Sequence, residues 1–232
     1  MALFIDILAI QLFVLGVAGI TLGYFLVKIF MRSRRGESIE REYQVMWPLL
    51  LGIGIYSFVT GLWGQLVWPL PGSYNILFYD LYAMFGLILT VFAALMRSNF
   101  RLEYAGFFTL LFGAITMYYG ASGFNAHMTS EPAALLGLYL LWGLAGILTY
   151  PFALYADRIR AKALEVAATA QAPQLIPPMT HATGAVGKTA SISYSWWLWI
   201  PVIVFLAAGL LALYIGINAL PGHLVAFSHW AP

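Results

Sequence analysis

The sequence contains no cysteine, and only 9% of its 232 residues are charged. Without cysteine the chain can form no disulfide, no zinc–thiolate site and no iron–sulfur cluster. Soluble domains carry about 25% charged residues, so this chain would expose too much apolar surface to water. The sequence also lacks a Ser-His-Asp arrangement, a nucleophile elbow and paired acids inside an apolar run. An enzyme is therefore the less favoured class of protein.

Apolar residues, in contrast, make up 62% of the chain. A helix that spans a bilayer needs about 20 consecutive, mostly apolar residues. Six runs meet this requirement, at residues 7–30, 47–68, 75–96, 105–122, 133–155 and 196–218. We predict an all-α membrane protein with six transmembrane helices in a single domain, residues 1–232. A stretch rich in Pro, Ala, Thr and Ser, residues 171–195, is typical of a flexible linker.

The positive charges follow these spans. If the chain crosses the membrane six times, every lysine and arginine falls on one side of it: Lys28, Arg32, Arg34, Arg35, Arg41, Arg97, Arg101, Arg158, Arg160, Lys162 and Lys188. The positive-inside rule then predicts that both termini lie on the outer side of an inner (plasma) membrane. Glutamates are interspersed among the arginines of the first basic loop. Membrane orientation therefore explains these charges better than a nucleic-acid partner does.

An internal repeat connects the central spans. The motif LYAMFG at residues 81–86 matches LYLLWG at residues 138–143. Two glycine sets also share one spacing: Gly54, Gly61 and Gly64, and Gly113, Gly120 and Gly123. Such stripes permit close helix packing. We predict that helices 2–3 and 4–5 form a duplicated hairpin, with parallel repeats at residues 46–103 and 104–161.

Asp80 is the carboxylate that lies furthest inside an apolar run. A charge in the hydrocarbon is costly, and such residues usually face a bundle interior or a wet cavity. Five polar residues lie near Asp80 in sequence or on the same side by topology: Tyr74, Asn75, Tyr79, Tyr82 and Glu131. Together they predict a pocket for a ligand or ion, open to the outer side. The alternative is that Asp80 lies at headgroup level and hydrogen-bonds a neighbouring helix.

Histidines supply a separate hypothesis. His127, His223 and His229 are predicted on the outer side, and with Glu131 or Asp80 they offer suitable ligands for zinc or copper. No HxxH or HExxH spacing occurs, so idle surface histidines are the alternative. No histidine falls in the middle of a span, which disfavours a buried haem. The sequence indicates no cofactor.

The segment TGLWGQLVWPLPGSYNILFYDLYAMFG, residues 60–86, carries a family resemblance, and SYNILFYD is its most specific part. It resembles a family of prokaryotic membrane proteins known only as a domain of unknown function. The similarity extends over about residues 45–155. The resemblance implies a multi-span bundle and carries no activity.

Three function hypotheses follow. The first is a non-enzymatic accessory subunit that packs in the lipid bilayer as a homo-oligomer or within a larger membrane complex; glycine stripes and short loops favour it. The second is a small transporter, channel or ligand-binding protein that uses the pocket around Asp80. The third is a metal or redox protein that uses the outer-face histidines. A continuous cavity that reaches Asp80 would favour transport or binding, whereas a closed bundle with one flat glycine-lined or aromatic face would favour a subunit.

Overall fold

The computed structural model describes residues 7–171 and 196–228. Six long helices account for most of this part of the chain: α1 (Ile7–Arg34), α2 (Glu40–Val67), α3 (Ser73–Arg97), α4 (Glu103–Asn125), α5 (Pro132–Gln171) and α6 (Trp199–Ser228). A 3-10 turn, Trp196–Leu198, leads into α6. Residues 172–195 of the predicted linker, and His229, lie outside the described residues.

Each of the six helices is long and apolar enough to cross a membrane. The predicted all-α, six-span fold class is therefore confirmed, and the chain is a multi-pass membrane protein. Within the described residues, every lysine and arginine lies at one end of the bundle. This end, called the basic end below, contains the α1–α2 and α3–α4 loops and the second half of α5. The α2–α3 and α4–α5 loops lie at the opposite end.

The helices associate as three antiparallel pairs: α2 with α3, α4 with α5, and α1 with α6. Bilayer lipid is as apolar as leucine, so burial alone does not drive helices together and close van der Waals packing has to do so. Glycine supplies that closeness at the centre of each pair. A Cβ atom at Gly19 of α1, for example, would lie 2.7 Å from the Gly209 Cα atom of α6.

The two central pairs cross in the same way. A Cβ atom at Gly86 of α3 would lie 2.7 Å from the carbonyl oxygen of Gly54, and a Cβ atom at Gly143 of α5 would lie 2.7 Å from that of Gly113. All six glycines of the predicted stripes are buried and face the partner helix of their own pair: Gly54, Gly61, Gly64, Gly113, Gly120 and Gly123. The duplication stays a prediction, and this shared crossing supports it.

Polar side chains join the helices at the basic end. Asp157 of α5 is buried, and its carboxylate accepts hydrogen bonds of 2.9–3.0 Å from the backbone N–H groups of Leu102 and Glu103, at the start of α4. A carboxylate at a helix N-terminus satisfies unpaired donors and complements the helix dipole. Arg160, one turn further along α5, donates to Glu40 of α2 at 2.7 Å.

The same arginine reaches a second element. Its other guanidinium nitrogens donate to the Phe100 carbonyl oxygen and the Asn99 side chain, both at 3.1 Å. The Arg160 guanidinium also lies 5.0 Å from the centre of the Tyr43 ring on α2, which is the distance of a cation–π contact. These contacts connect α2, the α3–α4 loop and α5. We call Asp157, Arg160 and their partners the basic-end network.

Substitution of the α2 glycines tests the close crossing. A Cβ atom at Gly54 would lie 2.7 Å from the Thr90 backbone nitrogen, whereas one at Gly52 would have nothing within 4 Å. We expect Gly54→Val to lower the free energy of unfolding by about 1–3 kcal/mol, the usual cost of overpacking. Gly52→Val is the matched control on the same helix. Thermal unfolding in mild detergent measures both, and equal midpoints would contradict the crossing.

The basic-end network gives a second prediction. Asp157→Ala leaves two backbone N–H groups at the start of α4 without their acceptor, so we expect a loss of about 1–3 kcal/mol in stability. Arg158→Ala removes an exposed charge one residue away and should change stability by less than about 0.5 kcal/mol. Chemical or thermal unfolding in detergent compares the two. If Asp157→Ala is as stable as the control, the carboxylate does not hold α4.

Candidate ligand cavity

A cavity of about 750 Å³ lies between the three helix pairs. Its lining runs from Leu8 to Leu26 on α1, from Phe78 to Met96 on α3 and from Ala134 to Phe152 on α5. Each of these stretches contains 19 residues, so its first and last Cα atoms are about 27 Å apart along the helix at 1.5 Å per residue. The cavity is therefore long and follows the helices through most of a bilayer's hydrocarbon thickness of about 30 Å.

The lining is mostly apolar, and three aromatic rings meet on it. The Trp142 ring of α5 lies 5.2 Å from the Phe85 ring of α3 and 6.2 Å from the Phe205 ring of α6, both in edge-to-face geometry. Edge-to-face packing at these distances is favourable for aromatic rings. Each ring comes from a different helix pair. This junction therefore joins the three pairs through side chains rather than through close backbone contact.

Some polar atoms on the lining are buried and have no hydrogen-bond partner within the described residues. They are Gln11 Nε2 on α1, the Tyr82 hydroxyl on α3, Thr129 Oγ1 in the α4–α5 loop and Trp142 Nε1 on α5. A buried polar group without a partner costs roughly 1–3 kcal/mol. Water or a ligand in the cavity would supply the missing partners. The Gln11 side chain is the most informative because the residue is only 5% exposed.

The two ends of the cavity differ. At the basic end the lining is mostly buried apolar side chains, including Phe92, Met96, Leu102 and Phe152. The two threonines on this part of the lining, Thr109 and Thr149, donate to carbonyl oxygens of their own helices. The basic-end network lies beyond this part of the lining. At the opposite end polar residues join the apolar lining, and four of them are exposed at the surface: Ser130, Glu131, Tyr214 and Asn218. The cavity is thus closed at the basic end and reaches the surface at the other.

Asp80 lies outside this cavity lining. It ends a short π-helical segment of α3, Ile76–Asp80, and is partly buried. Its carboxylate accepts a hydrogen bond from Gln65 Nε2 of α2 at 3.0 Å, and the Tyr119 hydroxyl of α4 donates at 3.4 Å. Asp80 thereby connects the α2–α3 pair to α4. These contacts agree with the alternative raised from the sequence, that Asp80 hydrogen-bonds a neighbouring helix.

The other residues of the predicted pocket occupy different surroundings. Asn75 is fully buried and donates from Nδ2 to the Gly64 carbonyl oxygen at 3.0 Å, so it caps the end of α2. Tyr79 is buried against Gly64, and Tyr74 is 37% exposed. Tyr82 and Glu131 line the cavity. The structure thus brings two of the six predicted pocket residues to one cavity and leaves Asp80 beside it.

The predicted metal ligands are not brought together in the described part of the chain. His127 is exposed in the α4–α5 loop. No group of three His, Asp or Glu residues close enough to hold a metal occurs within the described residues. The side chain of His223 and all of His229 lie outside them. The metal hypothesis therefore stays a prediction without a geometric argument.

Sequence reasoning missed Gln11, Thr129 and Trp142. A signal for Gln11 was available, because a polar side chain inside an apolar span is costly and usually faces a protein interior or a cavity. The same signal applied to Gln65, the partner of Asp80. Trp142 gave no such signal, because a tryptophan inside an apolar run can face lipid as well as a cavity.

Taken together, these features define a class. The protein is a six-helix integral membrane protein with an elongated apolar cavity that has one polar, surface-reaching end. Residues 1–226 match the family model described as Protein of unknown function (DUF981), so the chain belongs to this family. This confirms the resemblance to a domain-of-unknown-function family. No curated protein and no solved structure gave a match.

A double-mutant cycle tests the structural role of Asp80. Asp80→Ala leaves Gln65 without its acceptor, so we expect a loss of about 1–3 kcal/mol in stability. Gln65→Ala should lower the free energy of unfolding less in the Asp80→Ala background than in the wild type. The difference, which is the coupling energy of the two side chains, should be at least about 0.5 kcal/mol. Unfolding in detergent measures all four proteins. Additive effects would show that the two side chains do not interact.

Proposed function

We propose that this protein binds a single-chain amphiphile, a lipid-like molecule with one long apolar chain and a polar head, in the central cavity. The observation that carries this proposal is the shape and chemistry of the cavity. It is about 750 Å³ in volume, elongated along the helices, apolar through most of its length and polar where it reaches the surface. Binding cavities for small molecules occupy about 300–1,000 Å³ and are mostly apolar with a few polar groups.

The volume favours one chain over two. At about 30 Å³ for each water-sized group, 750 Å³ holds roughly 25 such groups. One long chain with its head is of that size, whereas a phospholipid with two chains is larger. The length of about 27 Å along the helices also suits an extended chain. Its end would contact the buried side chains Met96, Leu102 and Phe152 at the basic end.

The accessory-subunit hypothesis has weaker support. Its motivation was a set of glycine stripes that could receive a partner helix, and those glycines pack inside the helix pairs instead. A subunit role, as a homo-oligomer or within a larger complex, is compatible with ligand binding. These glycine stripes, however, do not offer a docking surface to a partner helix. A transport role around Asp80 is supported by the polar contacts of Gln65 and Tyr119 with its carboxylate, but Asp80 does not line the central cavity.

The proposed orientation follows from charge. The clustering of lysines and arginines at the basic end supports an arrangement with that end in the cytoplasm and both termini on the outer side of a prokaryotic inner membrane. The cavity would then open toward the outer side. Labelling of single cysteines in the α1–α2 and α4–α5 loops by a membrane-impermeant reagent tests this, because the chain has no natural cysteine.

A cavity-filling variant tests the proposed function. Leu138 of α5 lines the cavity and is 5% exposed, whereas Leu140 on the same helix is 37% exposed and does not line it. We expect gently extracted wild-type protein to retain an amphiphile that native mass spectrometry detects. Leu138→Trp should reduce binding at least about tenfold by filling the space, and Leu140→Trp should bind like the wild type.

Size-exclusion chromatography and thermal unfolding check that both tryptophan variants are folded. A folded Leu138→Trp protein that binds amphiphiles as well as Leu140→Trp would contradict the assignment of the ligand to this cavity. Wild-type protein that neither retains nor takes up any single-chain amphiphile would contradict the proposed function as a whole.

A further inference from the structure

We infer that the polar end of the cavity selects an uncharged hydroxyl head, such as that of a monoacylglycerol or a long-chain alcohol, and rejects anionic heads. This inference rests on the proposed function and adds the chemistry of the head. It is carried by the residues that line the polar end: Gln11, Thr129, Ser130, Glu131 and Asn218. Their charges and unsatisfied hydrogen-bonding groups limit which head fits.

The first limit is charge. Glu131 is the one charged residue among the described residues that line the cavity. The described lysines and arginines lie at the basic end, beyond the closed end of the cavity, so none of them neutralises an anion at the polar end. A carboxylate or phosphate head beside Glu131 would suffer like-charge repulsion. Because Glu131 is exposed, salt screens this repulsion, and it is strongest at low ionic strength.

The N-terminus of α5 does not reverse this conclusion. Helix N-termini attract anions through their dipole and their free N–H groups. Glu131, however, immediately precedes Pro132, the first residue of α5, and so already places a carboxylate at that position. The backbone carbonyl oxygen of Glu131 accepts the N–H groups of Ala134 and Leu135, which fixes the residue at the start of the helix. The negative charge of Glu131 therefore lies next to this helix end in the sequence and offsets its attraction for an anion.

The second limit is hydrogen bonding. The Gln11 amide nitrogen is a buried donor without an acceptor in the described part of the chain, and the Glu131 carboxylate accepts hydrogen bonds only. An ammonium head would satisfy Glu131, but it has no lone pair for Gln11. A carboxylate head would accept from Gln11 and repel Glu131. A hydroxyl both donates and accepts, so each hydroxyl of a monoacylglycerol suits either residue: it can accept from the Gln11 amide or donate to the Glu131 carboxylate.

Three probes with the same chain length test the head. Monopalmitin, palmitate and hexadecylamine differ in head charge and are presented to the purified full-length protein in detergent micelles at neutral pH, with bound molecules counted by native mass spectrometry. We expect monopalmitin to bind at least about tenfold more tightly than palmitate. Hexadecylamine pairs with Glu131 but leaves the Gln11 amide nitrogen without an acceptor, so its affinity should fall between the other two. Palmitate or hexadecylamine binding as tightly as monopalmitin would overturn the inference and leave the proposed function standing.

Two variants assign the selection to residues. Glu131→Gln removes the negative charge and should narrow the preference for monopalmitin over palmitate by at least about tenfold. Gln11→Leu should weaken the binding of monopalmitin, whereas palmitate should still bind weakly because Glu131 is unchanged. Asn125→Asp adds a negative charge on an exposed residue near the same end but off the cavity lining, and it should leave the preference unchanged.

The outcomes separate the two proposals. A preference that is unchanged in Glu131→Gln, or that shifts equally in Asn125→Asp, would overturn the role given to Glu131. Failure of all three probes to bind the wild-type protein would overturn the proposed function itself, and the inference with it.

Discussion

The close crossing of helices at glycine is the interaction on which the rest of this structure depends. In a bilayer, helices gain nothing from hiding apolar surface from each other rather than from lipid, so they associate where their backbones can approach. Gly54 with Gly86, Gly113 with Gly143 and Gly19 with Gly209 provide such approaches. The two helices of each antiparallel pair are therefore in close backbone contact, and these glycine contacts lie within the pairs rather than between them.

Contacts between the pairs are of another kind. They rely on large side chains, of which the edge-to-face junction of Phe85, Trp142 and Phe205 is the clearest case. Bulky rings hold the pairs apart at the centre, and the space between them is the cavity of about 750 Å³. Tight pairs that are joined by bulky spacers therefore account for a cavity in a bundle whose individual helices are closely packed.

Sequence alone gave the six spans because length and apolar composition suffice to predict them. It also pointed to the glycines that pack, since small residues at helical spacing have one common use in membranes. It could not give the cavity. A leucine that faces an apolar cavity, such as Leu138, and one that faces lipid, such as Leu140, are in equally apolar surroundings, so no pattern of hydrophobicity distinguishes them. The pairing of α1 with α6 brings together the first and last helices, and no local sequence pattern predicts a contact between segments so far apart in the chain.

The sequence allowed an unusual polar residue to be recognised, but not the partners that it contacts. Asp80 was recognisable as unusual because a carboxylate in an apolar run needs a reason. Its partners, Gln65 and Tyr119, lie 15 and 39 residues away in the sequence, and only the fold brings them to it. Asp157 looked like one charge among several in the second half of α5. It is instead the buried acceptor for the start of α4, because the α4–α5 hairpin folds back on itself.

Charge asymmetry then connects orientation with ligand choice. The same concentration of basic residues at one end of the bundle that would orient the protein in a membrane also leaves the described part of the other end without lysine or arginine. At the basic end, Arg160 and Asp157 are used to join helices, and the cavity beneath them is closed by apolar side chains. At the polar end, Glu131 stands without a described basic neighbour on the lining. Among the described residues, an anionic head would therefore be separated from every lysine and arginine by the length of the cavity, because these lie at the end that its chain would occupy.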